Sequence, residues 1–135
     1  MSYCQTDRYL VIRNQKSGLV LDASEYLVKL QYFMGFPPQL WKLESAGLGT
    51  FFIVNKGNGQ ALDIQGEANN GNNLITYAKH GGITQQWFIN SDGTIVSAVG
   101  DWAINICQSS YFAGNTIIAY NKHGGPNQKF HLQYE

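Results

Sequence analysis

Short apolar and β-branched runs alternate along this chain with clusters of Gly, Asn, Ser and Asp. Thr50-Phe51-Phe52-Ile53-Val54, Leu74-Ile75-Thr76-Tyr77 and Thr116-Ile117-Ile118-Ala119-Tyr120 have the length and side-chain types of strands. Asn90-Ser91-Asp92-Gly93 lies between Trp87-Phe88-Ile89 and Thr94-Ile95-Val96, and it has the turn chemistry of a hairpin. No stretch carries a long helical period with capping residues, so the pattern predicts essentially no α-helix.

The pattern is also written three times. Ile12-Arg13-Asn14 precedes Gly18-Leu19-Val20-Leu21-Asp22-Ala23. Ile53-Val54-Asn55 precedes Gly59-Gln60-Ala61-Leu62-Asp63-Ile64, and Ile95-Val96-Ser97 precedes Asp101-Trp102-Ala103-Ile104-Asn105-Ile106. The copies close on Gln39-Leu40-Trp41, Gln85-Gln86-Trp87 and Gln128-Lys129-Phe130. Asp22, Asp63 and Asn105 recur at intervals of 41 and 42 residues, and the closing Gln at 46 and 43, so the copies differ by small loop insertions. Repetition at this period decides the architecture before any single residue does. About four strands per copy, over approximate repeats 8–47, 48–91 and 92–135, predict one all-β domain spanning 1–135 with threefold pseudosymmetry. The β-trefoil fits, a closed barrel of six strands capped by three hairpins; a propeller needs at least about four blades. Trp41, Trp87 and Phe130 are predicted to fill the barrel, with Ile12, Ile53, Ile95, Leu21, Leu62 and Ile104 around them.

Charge narrows the range of partners. Nine Lys and Arg balance nine Asp and Glu, and charged residues are 13% of the chain, about half the usual share. No basic stripe exists to neutralise phosphates, which argues against nucleic acid. No apolar run approaches the roughly 20 residues of a membrane helix, so membrane insertion is not expected. Met1-Ser2-Tyr3-Cys4-Gln5-Thr6-Asp7-Arg8 holds no apolar run of the secretory kind, and the expected location is cytoplasmic, with any release by a non-classical route. Cys4 and Cys107 make no disulfide framework. Eight Tyr, seven Phe and three Trp, with abundant Asn and Gln, suit a neutral polar ligand better than an ionic one.

The repeated Gln-x-Trp and Leu-Asp-x elements resemble the ricin-B, or R-type, lectin family. They stand here as Gln39-Leu40-Trp41, Gln85-Gln86-Trp87, Gln128-Lys129-Phe130, Leu21-Asp22-Ala23, Leu62-Asp63-Ile64 and Ile104-Asn105-Ile106. The resemblance covers nearly the whole chain. The His-Gly-Gly-x-x-Gln run of copies two and three is similar to that of small cytosolic mushroom and invertebrate lectins. The family's usual disulfide in each repeat is missing, which suits a reducing compartment. The resemblance implies sugar binding by an Asp or Asn that grips adjacent hydroxyls and an aromatic ring that lies against the C–H face. An Asn just before the closing Gln would supply a donor and an acceptor. In copy two that set is Asp63, Tyr77, His80 and Gln85, with Thr84 in the Asn position. In copy three it is Asn105, Tyr120, His123, Asn127 and Gln128. In copy one it is Asp22, Tyr32 and Gln39; Pro38 takes the Asn position, and Phe33-Met34-Gly35-Phe36-Pro37 has no His-Gly-Gly. The closing Gln is expected to tie down a turn through its amide and to orient the acid.

Other chemistries fit less well. His80, His123 and His131 form no ligand cluster with cysteine or acid neighbours, so no metal and no cofactor are expected. His80 and His123 fall at repeat-equivalent positions, a third of a turn apart, and do not meet in one catalytic centre. The alternative of another class is a protein-binding trefoil such as a protease inhibitor, since fold alone does not fix function. Inhibitors of that kind need no repeated polar sets, and this chain repeats them. The expectation is a non-catalytic lectin, monomeric or homodimeric. It would bind galactose- or N-acetylgalactosamine-type glycans of glycoproteins or glycolipids at copies two and three, with copy one as a third candidate.

Overall fold

A computed structural model describes residues 8–66 and 69–135. Twelve strands join into one sheet, and the described residues contain no α-helix. In chain order the strands are β1 (Leu10–Asn14), β2 (Val20–Asp22), β3 (Lys29–Gln31), β4 (Trp41–Gly47), β5 (Thr50–Asn55), β6 (Ala61–Ile64), β7 (Leu74–Tyr77), β8 (Trp87–Ile89), β9 (Ile95–Ser97), β10 (Trp102–Ile106), β11 (Ile117–Asn121) and β12 (Phe130–Tyr134).

The pairings close a barrel. β12 pairs β1, β1 pairs β4, β4 pairs β5, β5 pairs β8 and β8 pairs β9, all antiparallel. The ring closes where the Phe130 N–H donates to the Gly93 carbonyl at 2.8 Å. The other six strands form three caps: β2 with β3, β6 with β7 and β10 with β11. Each cap hangs from its barrel strand at the same register, Arg13↔Val20, Val54↔Ala61 and Val96↔Ala103. The caps touch one another around the threefold axis through bridges Leu27↔Ile75, Asn73↔Ile118 and Lys29↔Thr116. This is the β-trefoil that the repeats predicted, and the hairpin at Asn90–Gly93 is present between β8 and β9.

The apolar half of each repeat builds the core. Trp41 and Trp87 are fully buried, Phe130 is 2% exposed, and Ile12, Ile53, Ile95, Leu21, Leu62 and Ile104 surround them. Truncating such a ring to Ala typically costs about 3–5 kcal/mol. A buried indole N–H also needs an acceptor. Trp41 donates to the Leu21 carbonyl and Trp87 to the Leu62 carbonyl, so each barrel ring pins its own cap. The Phe130 ring carries no N–H, so the third copy makes no such side-chain bond. Asn14 and Asn55 staple adjoining copies, donating to the Pro126 and Pro38 carbonyls.

Candidate functional site

Each closing Gln ends a single 3₁₀ turn, Pro37–Gln39, Ile83–Gln85 or Pro126–Gln128, and points inward. Gln39, Gln85 and Gln128 are 2%, 0% and 0% exposed. Their amides make the same bonds in every copy. Nε2 donates to Asp22 Oδ2, Asp63 Oδ2 or Asn105 Oδ1 at 2.9, 3.1 and 2.9 Å, and to the carbonyl of Tyr32, Ala78 or Asn121. Oε1 accepts the backbone N–H of Met34, His80 or His123. A buried amide with its donors and acceptor all engaged cannot also reach a ligand. These glutamines, candidates for the binding set by sequence, are positioning residues that aim the acid or amide and the loop beyond it.

In copy two, β6 and β7 and the turn after them surround an open cavity of about 230 Å³. Asp63, Tyr77, His80 and Thr84 line it, with Tyr26 and Ile75. Asp63 is 5% exposed. Its Oδ1 accepts the Ile64 N–H at 2.7 Å and its Oδ2 accepts from Gln85, leaving lone pairs for a ligand hydroxyl. Tyr77 is 51% exposed, so it stands open to solvent beside the cavity. The His80 ring stands edge-on to Tyr77, 6.2 Å between centroids. Its Nδ1 accepts the Gly82 N–H at 2.9 Å, which leaves the proton on Nε2, 3.5 Å from Asp63 Oδ2. The Gly-Gly pair follows from this fold-back. Gly81 holds φ +78°, and a Cβ on Gly82 would sit 2.6 Å from His80 Cε1.

Copy three repeats the frame with the polarity changed. Asn105, Tyr120, His123 and Asn127 line a cavity of about 460 Å³, walled by Cys107-Gln108-Ser109. Tyr120 and His123 stand edge-on at 6.3 Å, and His123 Nδ1 accepts the Gly125 N–H. Asn105 Oδ1 accepts from both Gln128 and Asn127, while its Nδ2 donates to the Ile106 carbonyl. Asn127 spends both N–H bonds, on Asn105 Oδ1 and the Ile106 carbonyl. What remains for a ligand is an N–H of Asn105 and the Asn127 oxygen, where copy two offers a carboxylate. Gln108 and Ser109 hold φ of 53° and 52°, a costly backbone for residues with a Cβ, at the rim of this cavity. Cys107 is a half-buried free thiol there, and Cys4 lies outside the described residues.

Copy one corrects an expectation. Strand register pairs Val20 with Gln31, as it pairs Ala61 with Tyr77 and Ala103 with Tyr120. Gln31, not Tyr32, therefore occupies the aromatic position. Tyr32 is one residue on, equivalent to Ala78 and Asn121, and a one-residue step turns a strand side chain to the other face. Lys29 stands where the other copies have Ile75 and Ile118, and it pairs with Glu25 at 3.0 Å. Met34 replaces the His, and the Pro38 carbonyl takes the Ala23 N–H. Asp22 keeps its bond to Gln39, and its other oxygen accepts the Ser24 N–H as Asp63 Oδ1 accepts the Ile64 N–H. Sequence reasoning missed the cavity walls, Tyr26 and Ile75 in copy two and Cys107-Gln108-Ser109 in copy three. Tyr26 comes from another repeat, and no motif spacing could have pointed to it.

A family model described as ricin-type β-trefoil lectin domain-like matches residues 3–77 and 37–120. The chain belongs to that family. No curated protein sequence matches it. Among solved structures, this ricin-type chain is 29% identical to the designed threefold-symmetric protein ThreeFoil, with TM-score 0.87, covering 93% of this chain and 97% of that one. It is 29% identical to an exo-β-1,3-galactanase from Clostridium thermocellum, with TM-score 0.89. That match covers 99% of this chain but only 32% of the galactanase. The C-half of the earthworm R-type lectin, solved with GalNAc, is 25% identical with TM-score 0.75, covering 95% of this chain and 99% of that one.

Proposed function

We propose that this ricin-type domain is a non-catalytic lectin that binds galactose- or N-acetylgalactosamine-type sugars at two sites, those of copies two and three. The observation that carries the reading is the repeated assembly of a buried Gln, a polar Asx held by it, and an exposed Tyr–His pair over a small open cavity. A sugar hydroxyl both donates and accepts, so the carboxylate of copy two and the amide pair of copy three can each hold one. The GalNAc complex of the earthworm relative supports the galactose-type preference. Copy one, with Gln31, Lys29 and Met34 in the corresponding places, closes the fold and holds no sugar. A shallow single site binds weakly, and two sites on one molecule raise avidity on a glycan-bearing surface.

Titration calorimetry of the full chain with galactose and GalNAc tests this. Two sites per chain are expected, and Tyr77→Ala and Tyr120→Ala should each remove one. Both side chains are exposed, so the fold survives. No binding at roughly millimolar sugar, or unchanged stoichiometry in both variants, would refute the proposal.

A further inference from the structure

The two cavities are not equal, and the difference lies in a residue from another repeat. Tyr26 belongs to copy one, yet it lines the copy-two cavity. It is held there by the backbone: Leu27 bridges Ile75, the Val28 N–H donates to the Leu74 carbonyl at 2.9 Å, and Val28 is fully buried. The residue is nonetheless 55% exposed. An exposed Tyr on an anchored backbone presents a large apolar area with only two side-chain torsions to order.

Tyr26 also borders a second, larger groove of about 570 Å³, whose other walls include Ser24, Glu25, Asn58 and Gln60. Thr76 lines this groove, while its neighbours Ile75 and Tyr77 line the copy-two cavity, so the two spaces flank one strand and meet at Tyr26. The cavity beside Asp63 is on the scale of one sugar ring; the groove beyond Tyr26 supplies hydroxyl partners for another. Among the described residues, no aromatic takes the corresponding place in copy three. The bridge Asn73↔Ile118 corresponds to Leu27↔Ile75, which puts Asn72 where copy two has Tyr26. The copy-three cavity is walled instead by its own Cys107-Gln108-Ser109.

We propose that copy two is an extended site. It holds a terminal sugar at Asp63 and Tyr77 and the next sugar of the same glycan against Tyr26, whereas copy three takes a single terminal residue. This rests on the lectin reading above.

The test uses the full chain with Tyr120→Ala, which leaves copy two alone, titrated with galactose and with galactose-terminated oligosaccharides of several linkages. At least one oligosaccharide should bind roughly tenfold tighter than galactose. Adding Tyr26→Ala should bring that ratio to within about twofold of one, and Tyr26→Phe should keep it, since the ring does the stacking. In a Tyr77→Ala chain, where only copy three remains, no oligosaccharide should gain over galactose. A ratio near one for every linkage, or a ratio that survives Tyr26→Ala, overturns the inference while leaving the lectin reading intact. Failure of the chain with native Tyr77 and Tyr120 to bind galactose or any oligosaccharide overturns both.

Discussion

Asp63→Asn changes one atom and one charge, so it asks whether copy two is built around a carboxylate or merely around a side chain of that shape. Both carboxylate oxygens accept: Oδ1 from the Ile64 N–H at 2.7 Å, Oδ2 from Gln85 Nε2 at 3.1 Å. An Asn must turn its NH₂ toward one of these donors. Facing Ile64 it meets a backbone N–H that cannot move. Facing Gln85 it meets a second NH₂, with His80 Nε2 also 3.5 Å from that oxygen. Gln85 cannot flip to help, because its Oε1 accepts the His80 N–H and its Nε2 donates to the Ala78 carbonyl. Both of these bonds are buried, and Asp63 is 5% exposed. One charge-assisted bond is lost and one buried donor is stranded, at a cost of about 1–3 kcal/mol. Copy three avoids the cost because the Ile106 carbonyl, not an N–H, faces Asn105 Nδ2, and Asn127 gives Oδ1 a second donor. Urea unfolding reads the loss as a midpoint lowered by roughly 0.5–1.5 M at an unchanged slope of about 2 kcal/mol/M. Calorimetry should show the copy-two site weakened with it. An Asp63→Asn chain within about 0.3 kcal/mol of the parent, with galactose binding unaltered, would show the reasoning about that carboxylate to be wrong.

Gly82→Ala should dislodge the His80 ring, since the new Cβ would lie 2.6 Å from its Cε1, while the backbone at φ −69° accepts Ala without strain. Copy-two affinity should fall roughly tenfold with under about 1 kcal/mol lost in stability, read by calorimetry in a Tyr120→Ala chain and by thermal melting. The Thr94 hydroxyl, the Thr94 N–H and Lys122 hold the Asp92 carboxyl well below its ordinary value of 3.8. A depressed carboxyl stabilises the fold above that ordinary value and loses its contribution as pH falls below it. Asp92→Asn should therefore be less stable than the parent at neutral pH, by under about 1 kcal/mol because the side chain is 43% exposed, and the gap should narrow below pH 3.8. Leu48 is fully exposed at φ 52° in the β4–β5 turn, so Leu48→Asn should raise stability by about 0.5–1 kcal/mol, measured by thermal or urea unfolding.

Much of the fold was legible because a repeat must bury the same positions each time. Trp41, Trp87 and Phe130 recur two residues after a Gln, each as the first residue of a barrel strand. The closing Gln was legible as a turn anchor for the same reason, with its bond to the Asx side chain as the added detail. The misplacement of Tyr32 shows the limit. From Asp22 to Gln39 the loop is 17 residues, against 22 and 23 in the other copies, and matching one aromatic to another across that gap hid a shift of one position. Only strand pairing, Val20 with Gln31, resolves which residue faces the site.

The sequence by itself determined the threefold barrel, the apolar core and the polar pattern of copies two and three, because all of these depend on spacing along the chain. Tertiary structure alone decided which sets become cavities and what walls them. Tyr26 reaches copy two from copy one because the caps meet around an axis, at Leu27↔Ile75, between residues that no motif links. Donor and acceptor polarity was decided in space as well: Asp63 meets the Ile64 N–H where Asn105 meets the Ile106 carbonyl, so one repeated pattern lines two cavities of unlike chemistry.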